Sequence, residues 1–279
     1  MVRSIETIKG SVNMKNKKPI LVVVQGGGCR QIECATGVMQ GLDELGIEVN
    51  EYRGASAGGI VPCLHASGLS GKAIANLIAK TPVSELFSFS YLQAFKFIMP
   101  FVKVDYMYNT DGLKGFLDLH INCQASHRTM ISMTRKKDSY SRMVEGTPLT
   151  ALASSAIPEV FPPVKVGAEL YVDGGVINNI PMPKIKDIEN YEHIYIILCN
   201  KDTKKNKKSW SKIGRSLKLI NDMSEREVHQ VYEEGWNELE NVTVIQPEPY
   251  RSHLLEWTEY NSLISHACEY TKRLITQGI

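Results

Sequence analysis

Apolar positions along the chain alternate between short unbroken runs and longer stretches at helical spacing. Pro19-Ile-Leu-Val-Val-Val-Gln25 is a continuous β-branched run, the pattern of a strand covered on both faces. Gly26-Gly27-Gly28 follows. Ile32, Ala35, Val38, Met39, Leu42 and Leu45 then recur every three or four residues until Gly46 breaks the pattern. The reading is a strand, a tight glycine turn and an amphipathic helix. A short segment around Val49 to Tyr52 predicts a second strand that leads into Gly54-Ala55-Ser56-Ala57-Gly58-Gly59, and the apolar stretch Ile60 to Leu69 predicts a buried helix ending near Gly68. Further strands are predicted at Thr129 to Thr134, Glu169 to Val172, His193 to Leu198 and Val242 to Ile245. Helices are predicted at Pro148 to Ala156, Ile213 to Leu239 and Ser262 to Ile275. Strands alternating with helices over the whole length predict one α/β domain over residues 19–279, preceded by a solvated tail at 1–18. The sequence shows no internal repeat and no low-complexity linker.

Composition narrows the function classes. A chain of 279 residues with 43% hydrophobic residues is long enough to enclose a substantial core and too apolar to be disordered. Thirty-two basic residues against 30 acidic leave a formal charge of +2, without the imbalance of a general nucleic-acid binder. The six cysteines have no CxxC pair or regular spacing, so they read as reduced thiols and not as a zinc site or a disulfide framework. No acidic cluster suggests a metal loop, and no cofactor is expected. The first apolar run, Ile20 to Val24, is too short for a signal-peptide core or a membrane span. The expected location is therefore the cytoplasm, with peripheral contact at the inner face of a membrane as a further option.

Three local features carry candidate chemistry. The first is Gly54-x-Ser56-x-Gly58, between a strand and a buried helix. Glycines on both sides of a serine allow a sharp bend that lifts the hydroxyl at a helix start, where backbone N–H groups favour developing negative charge. The second is the triplet Gly26-Gly27-Gly28 after the first strand, which can aim several N–H groups into one concavity. Gln31 stands at the sixth position of what would be a dinucleotide fingerprint, and no Walker lysine follows, so a nucleotide reading fails. A plain tight turn remains the alternative. The third is Tyr171-Val172-Asp173-Gly174-Gly175, where the aspartate is either a turn cap or a base.

Taken together these features resemble the patatin-like phospholipase family. The blocks that carry the likeness are GGGCR at 26–30, GASAGG at 54–59, Ala153-Ser-Ser-Ala-Ile-Pro-Glu-Val-Phe-Pro-Pro163 and Asp173-Gly-Gly-Val-Ile-Asn-Asn-Ile-Pro181. The resemblance implies a three-layer α/β/α sandwich with a mainly parallel sheet. It also implies a serine acyl hydrolase acting on phospholipid or another lipid ester through a Ser–Asp dyad. Carried over by position, Ser56 is the nucleophile and Asp173 its partner. Gly26, Gly27 and Gly28 supply the oxyanion hole, and Gly54, Gly58, Gly174 and Gly175 shape the elbow and the aspartate turn. An ordinary aspartate, with a pKa near 3.9, is a feeble base for a serine, so desolvation is expected to raise it.

Two rival readings stay open: a Ser-His-Asp triad esterase or thioesterase using His193, His229, His253 or His266, and a catalytically silent lipid-binding protein on the same scaffold. His65, nine residues past Ser56 on the same predicted helix, lies over about 10 Å along the axis at ~1.5 Å per residue and is no base.

Three departures from the family pattern stand out. Gln31 replaces a glycine and is expected to alter helix packing. Asn50-Glu51-Tyr52-Arg53 is polar for a central strand, which predicts a short or partly exposed one. Pro62 predicts a kink in the helix that follows Ser56. Two surface features remain. Five of the seven phenylalanines, Phe87, Phe89, Phe95, Phe97 and Phe101, cluster between elbow and aspartate, as an acyl-chain wall, an interfacial lid or ordinary core. A lysine-rich run at 201–218 that includes Trp210 reads as a solvated loop, with docking on anionic lipid as the alternative.

Overall fold

The computed structural model describes residues 17–90, 106–124, 127–199, 225–247 and 260–278. The expected tail and the lysine-rich run therefore lie almost wholly outside the described residues, as do Phe95, Phe97, Phe101 and His253. In chain order the strands are β1 (Ile20–Val24), β2 (Glu51–Ala55), β3 (Ser88–Phe89), β4 (Tyr108–Asn109), β5 (Arg128–Arg135), β6 (Tyr140–Glu145), β7 (Val164–Val166), β8 (Glu169–Val172), β9 (His193–Ile197) and β10 (Val242–Ile245). The helices are α1 (Gly28–Glu44), α2 (Ile60–Ala66), α3 (Gly71–Lys80), α4 (Val83–Leu86), α5 (Asp111–His120), α6 (Pro148–Ser154), α7 (225–233) and α8 (Tyr260–Gln277).

Among the described residues eight strands form one sheet in the order β10-β9-β1-β2-β5-β8-β7, with β6 also paired to β5. The five strands from β10 to β5 are mutually parallel, and β6, β7 and β8 pair antiparallel at the far end. The sheet is mainly parallel, as expected. β1 lies between β2 and β9, and its β-branched run explains why: Leu21, Val22, Val23 and Val24 have no exposed surface. Val22 and Val24 pack with α1, α2 and α8 on one face. Leu21 and Val23 pack on the other with Ile180, Ile188, Val231 and Trp236. Two covered faces make the three layers.

Three local expectations are corrected or explained. β2 lies inside the sheet, with Tyr52 buried and Glu51 and Arg53 half-buried, and the polar pair finds partners. Arg53 donates to the Tyr191 hydroxyl at 3.2 Å, and that hydroxyl donates to Glu51 at 3.3 Å, so a polar strand is tolerated inside the sheet. Pro62 kinks nothing. Ser56–Gly59 forms a 3-10 turn and α2 starts afresh at Ile60, which puts Pro62 in the first helical turn, where its missing N–H breaks no bond. Gln31 is fully buried under the glycine turn and donates to the Ile197 carbonyl at 3.5 Å.

The register of β5 positions the site. β2 ends at Ala55, opposite Ser132. β8 runs the other way along β5 and ends with Val172 opposite Thr134. β6 occupies the opposite edge of β5, so β2 and β8 meet head-on along one edge. The residues that follow them, Ser56 and Asp173, are thereby driven together, at the carboxyl ends of the parallel strands where open α/β sheets place their ligands.

Candidate active site

Ser56 follows β2 with φ at +52°, a left-handed conformation that costs a non-glycine residue energy and is held by its surroundings. Gly58 makes the turn possible: a Cβ there would lie 2.0 Å from the Gln25 carbonyl oxygen at the end of β1. The Ser56 N–H donates to Ser154 Oγ at 2.7 Å, and Ser154 Oγ donates to the Ser132 carbonyl at 2.7 Å. One buried hydroxyl on α6 thus ties the strained residue to β5.

The Ser56 hydroxyl donates to Asp173 Oδ2 at 2.6 Å. Asp173 caps the 3-10 turn Gly174–Val176: its Oδ1 accepts the Gly175 N–H at 2.7 Å, and its own N–H donates to the Ala156 carbonyl at 2.9 Å. The aspartate has no exposed surface. Desolvation pushes its carboxyl up to about 7, although the bonds from Ser56 and Gly175 favour the ionised form. One oxygen of Asp173 caps the turn while the other accepts the serine hydroxyl, so the cap does not exclude the second reading open at the level of sequence.

The glycine turn closes over the pair. Gly28, at φ +67°, begins α1, whose first N–H groups have no partner within the helix. One expectation is corrected here: the Gly26 N–H donates to the Asn179 carbonyl at 3.0 Å, so it is spent on holding the turn. Gly27 and Gly28 remain as candidate donors. A small cavity of about 40 Å³ opens beside Ser56, walled by Ile32, Ile60, Leu86, Phe87, Leu113, Ile157 and Phe161. Phe87 stacks on Phe161 with centroids 4.7 Å apart, whereas Phe89 is partly exposed and meets Tyr108 edge-on. Of the phenylalanine cluster, then, Phe87 lines the cavity and Phe89 does not.

The hydrogen bonds of Ser56 and Asp173 among the described residues involve no histidine. His193 bonds Thr243 at 2.8 Å, and His229 lies exposed beside Glu233. His65 bonds the Tyr52 hydroxyl at 2.7 Å and Asp43 at 2.9 Å. The carboxylates of Glu44 and Glu269 come together near Cys268, but the Lys272 ammonium already sits between them at 2.8 and 2.5 Å, filling the place a metal cation would take.

Sequence reading assigned no role to Ser154, Phe161 or Asn179, although all three fall inside the blocks it quoted. Their type carries no chemical signal, because they act through backbone bonds and packing.

Comparison with known proteins bears on this arrangement. The family model for patatin-like phospholipase matches residues 22–184, which include both partners of the 2.6 Å contact. The chain belongs to the patatin-like phospholipase family. Among its relatives, the uncharacterized YqhO of Bacillus subtilis is 28% identical over 189 residues, covering 57% of this chain and 64% of the relative. The uncharacterized NTE family protein Mb2594 of Mycobacterium bovis is 29% identical over 175 residues, covering 57% of this chain and 27% of that protein. The chain therefore aligns to less than two thirds of the length of either. VipD from Legionella pneumophila superposes with a TM-score of 0.56 at 13% identity, over 93% of this chain and 67% of VipD, a likeness of fold.

Proposed function

We propose that this patatin-like protein is a lipid acyl hydrolase of the phospholipase A type, working through a Ser56–Asp173 dyad and an acyl-enzyme. The single observation that carries the reading is a serine hydroxyl donating at 2.6 Å to a fully buried aspartate at the mouth of an apolar cavity. Asp173 takes the Ser56 proton as the hydroxyl oxygen attacks the ester carbonyl. A carboxylate with a pKa near 7 is a far better base than an ordinary one, and it is still ionised in a useful fraction at neutral pH. The developing oxyanion is received by the N–H groups of Gly27 and Gly28 with the positive end of α1 behind them. Asp173 returns its proton to the leaving alcohol or lysolipid, then activates a water that releases the fatty acid. The cavity wall takes the acyl chain, which matches a lipid ester better than a small polar one. The dyad is favoured over a histidine triad because both oxygens of Asp173 are engaged, one by Ser56 and the other by a backbone N–H.

The test is release of fatty acid from defined phospholipid vesicles, with neutral lipid and acyl thioester in parallel. Ser56→Ala and Asp173→Asn are each expected to abolish release with circular dichroism unchanged. Appreciable turnover by Asp173→Asn would remove the dyad. An absence of fluorophosphonate labelling in the wild type would instead support a silent lipid-binding protein.

A further inference from the structure

Glu227 lies on α7, 48 positions beyond the residue it holds, and belongs to none of the quoted blocks. Its carboxylate is half-buried and accepts two consecutive backbone N–H groups, from Asn179 at 3.0 Å and from Ile180 at 2.6 Å. These residues close the loop that begins at Asp173. Asn179 in turn grips the glycine turn from both sides: its Nδ2 donates to the Gly26 carbonyl at 3.2 Å, and its own carbonyl accepts the Gly26 N–H at 3.0 Å. The fit is tight. A Cβ on Gly26 would lie 2.2 Å from Asn179 Oδ1, and one on Gly175 would lie 2.5 Å from the same oxygen. The Asn179 amide is therefore wedged between the turn that precedes Gly27 and Gly28 and the turn whose N–H binds Asp173.

We propose that Glu227 is a positioning residue for the oxyanion turn, acting through Asn179 to set where Gly27 and Gly28 stand relative to Ser56 and Asp173. Two charge-assisted bonds to adjacent N–H groups fix both the position and the orientation of the Asn179 peptide. Donors aimed at a developing charge lose much of their effect when displaced slightly, so a clamp two bonds away governs the chemical step without touching substrate. The proposal rests on the dyad reading given above.

Glu227→Gln keeps the side chain's shape but presents an amide NH2 to one of the two N–H donors, and Glu227→Ala removes the clamp. Both are expected to lower kcat on a soluble acyl ester by about ten- to a hundredfold, short of the ~10²–10³ that loss of an oxyanion donor costs. KM should stay close to wild type, and Tm should fall by a few degrees with the fold retained, because two N–H groups lose their acceptor. Affinity for a trifluoromethyl ketone analogue, whose adduct with Ser56 carries the oxyanion, should fall in parallel with kcat. Glu233→Gln, exposed on the same helix, is the control that leaves kcat, KM, Tm and ketone affinity unchanged. An unchanged kcat in folded Glu227→Ala, or a fall in kcat with ketone affinity retained, overturns the proposal. A loss of folding in both Glu227 variants assigns the residue to stability and overturns it equally. Ser56→Ala separates the two levels: turnover or ketone adduct formation in that variant defeats the dyad reading itself, whatever Glu227 does.

Discussion

At the scale of single residues, the buried carboxylate of Asp173 makes opposite demands on activity and on stability. As the proposed base it must be ionised, so kcat/KM is expected to fall tenfold per pH unit well below about 7 and to level off above. A pH profile on a substrate that does not titrate checks this, and a plateau reaching down to pH 5 would contradict it. The folded-state pKa lies above the unfolded value of ~3.9, so the native state holds its proton more tightly than the unfolded chain. Stability associated with this group is therefore full below pH 4, is lost as pH rises toward 7, and stays lost above. A shift of this size corresponds to on the order of 4 kcal/mol. Asp173→Asn removes the titration, so its Tm relative to wild type is expected to rise between pH 4 and pH 8; differential scanning calorimetry across that range reads it directly. Ser154 gives a second prediction. Ser154→Ala leaves the Ser56 N–H and the Ser132 carbonyl without their shared partner, which costs about 1–3 kcal/mol by urea unfolding. The left-handed Ser56 then relaxes, and kcat falls.

Among the elements, those that bury an unbroken apolar run or a full helical stripe were legible in advance. β1, β8, β9 and β10 lie where the sequence reading put strands, and α1, α6 and α8 follow the three-four spacing. β6 and β7 escaped because they are edge strands with few buried positions, so no strict alternation was imposed on them. α3 and α5 escaped for a related reason: α3 buries only Gly71, Ile74 and Ile78, and α5 only Leu113 and Leu117. Within the site, the residues with intrinsic chemistry and the glycines were visible. Ser154, Asn179 and Glu227 were not, because a hydrogen bond to a distant backbone group leaves no periodic trace. Packing between elements also sets the cavity wall. Phe161→Ala removes half of the Phe87–Phe161 stack and is expected to cost about 3–5 kcal/mol. It should also shift preference toward bulkier acyl groups in a chain-length panel; an unaltered preference would show that the chain lies elsewhere.

For the molecule as a whole, the ends of α1 and α2 are locked together by Asp43, which accepts from His65 at 2.9 Å and from the Gly71 N–H at 2.7 Å. Desolvation alone would raise the Asp43 carboxyl, but these bonds hold it below its ordinary value. Such a group adds stability above the unfolded pKa and loses it as pH falls through the folded one. Asp43→Asn is thus expected to lower Tm at pH 7 and to make little difference at pH 3. Strand order has a wider consequence. β1 comes near the start of the chain, yet one of its neighbours is β9, some 170 residues later, and the glycine turn is braced from α7 later still. While the polypeptide emerges from a ribosome, Ser56 is made before the strand and the helix that complete its surroundings. The chemistry proposed for Ser56 therefore waits on segments far along the chain, and the order of strands in the sheet sets that delay.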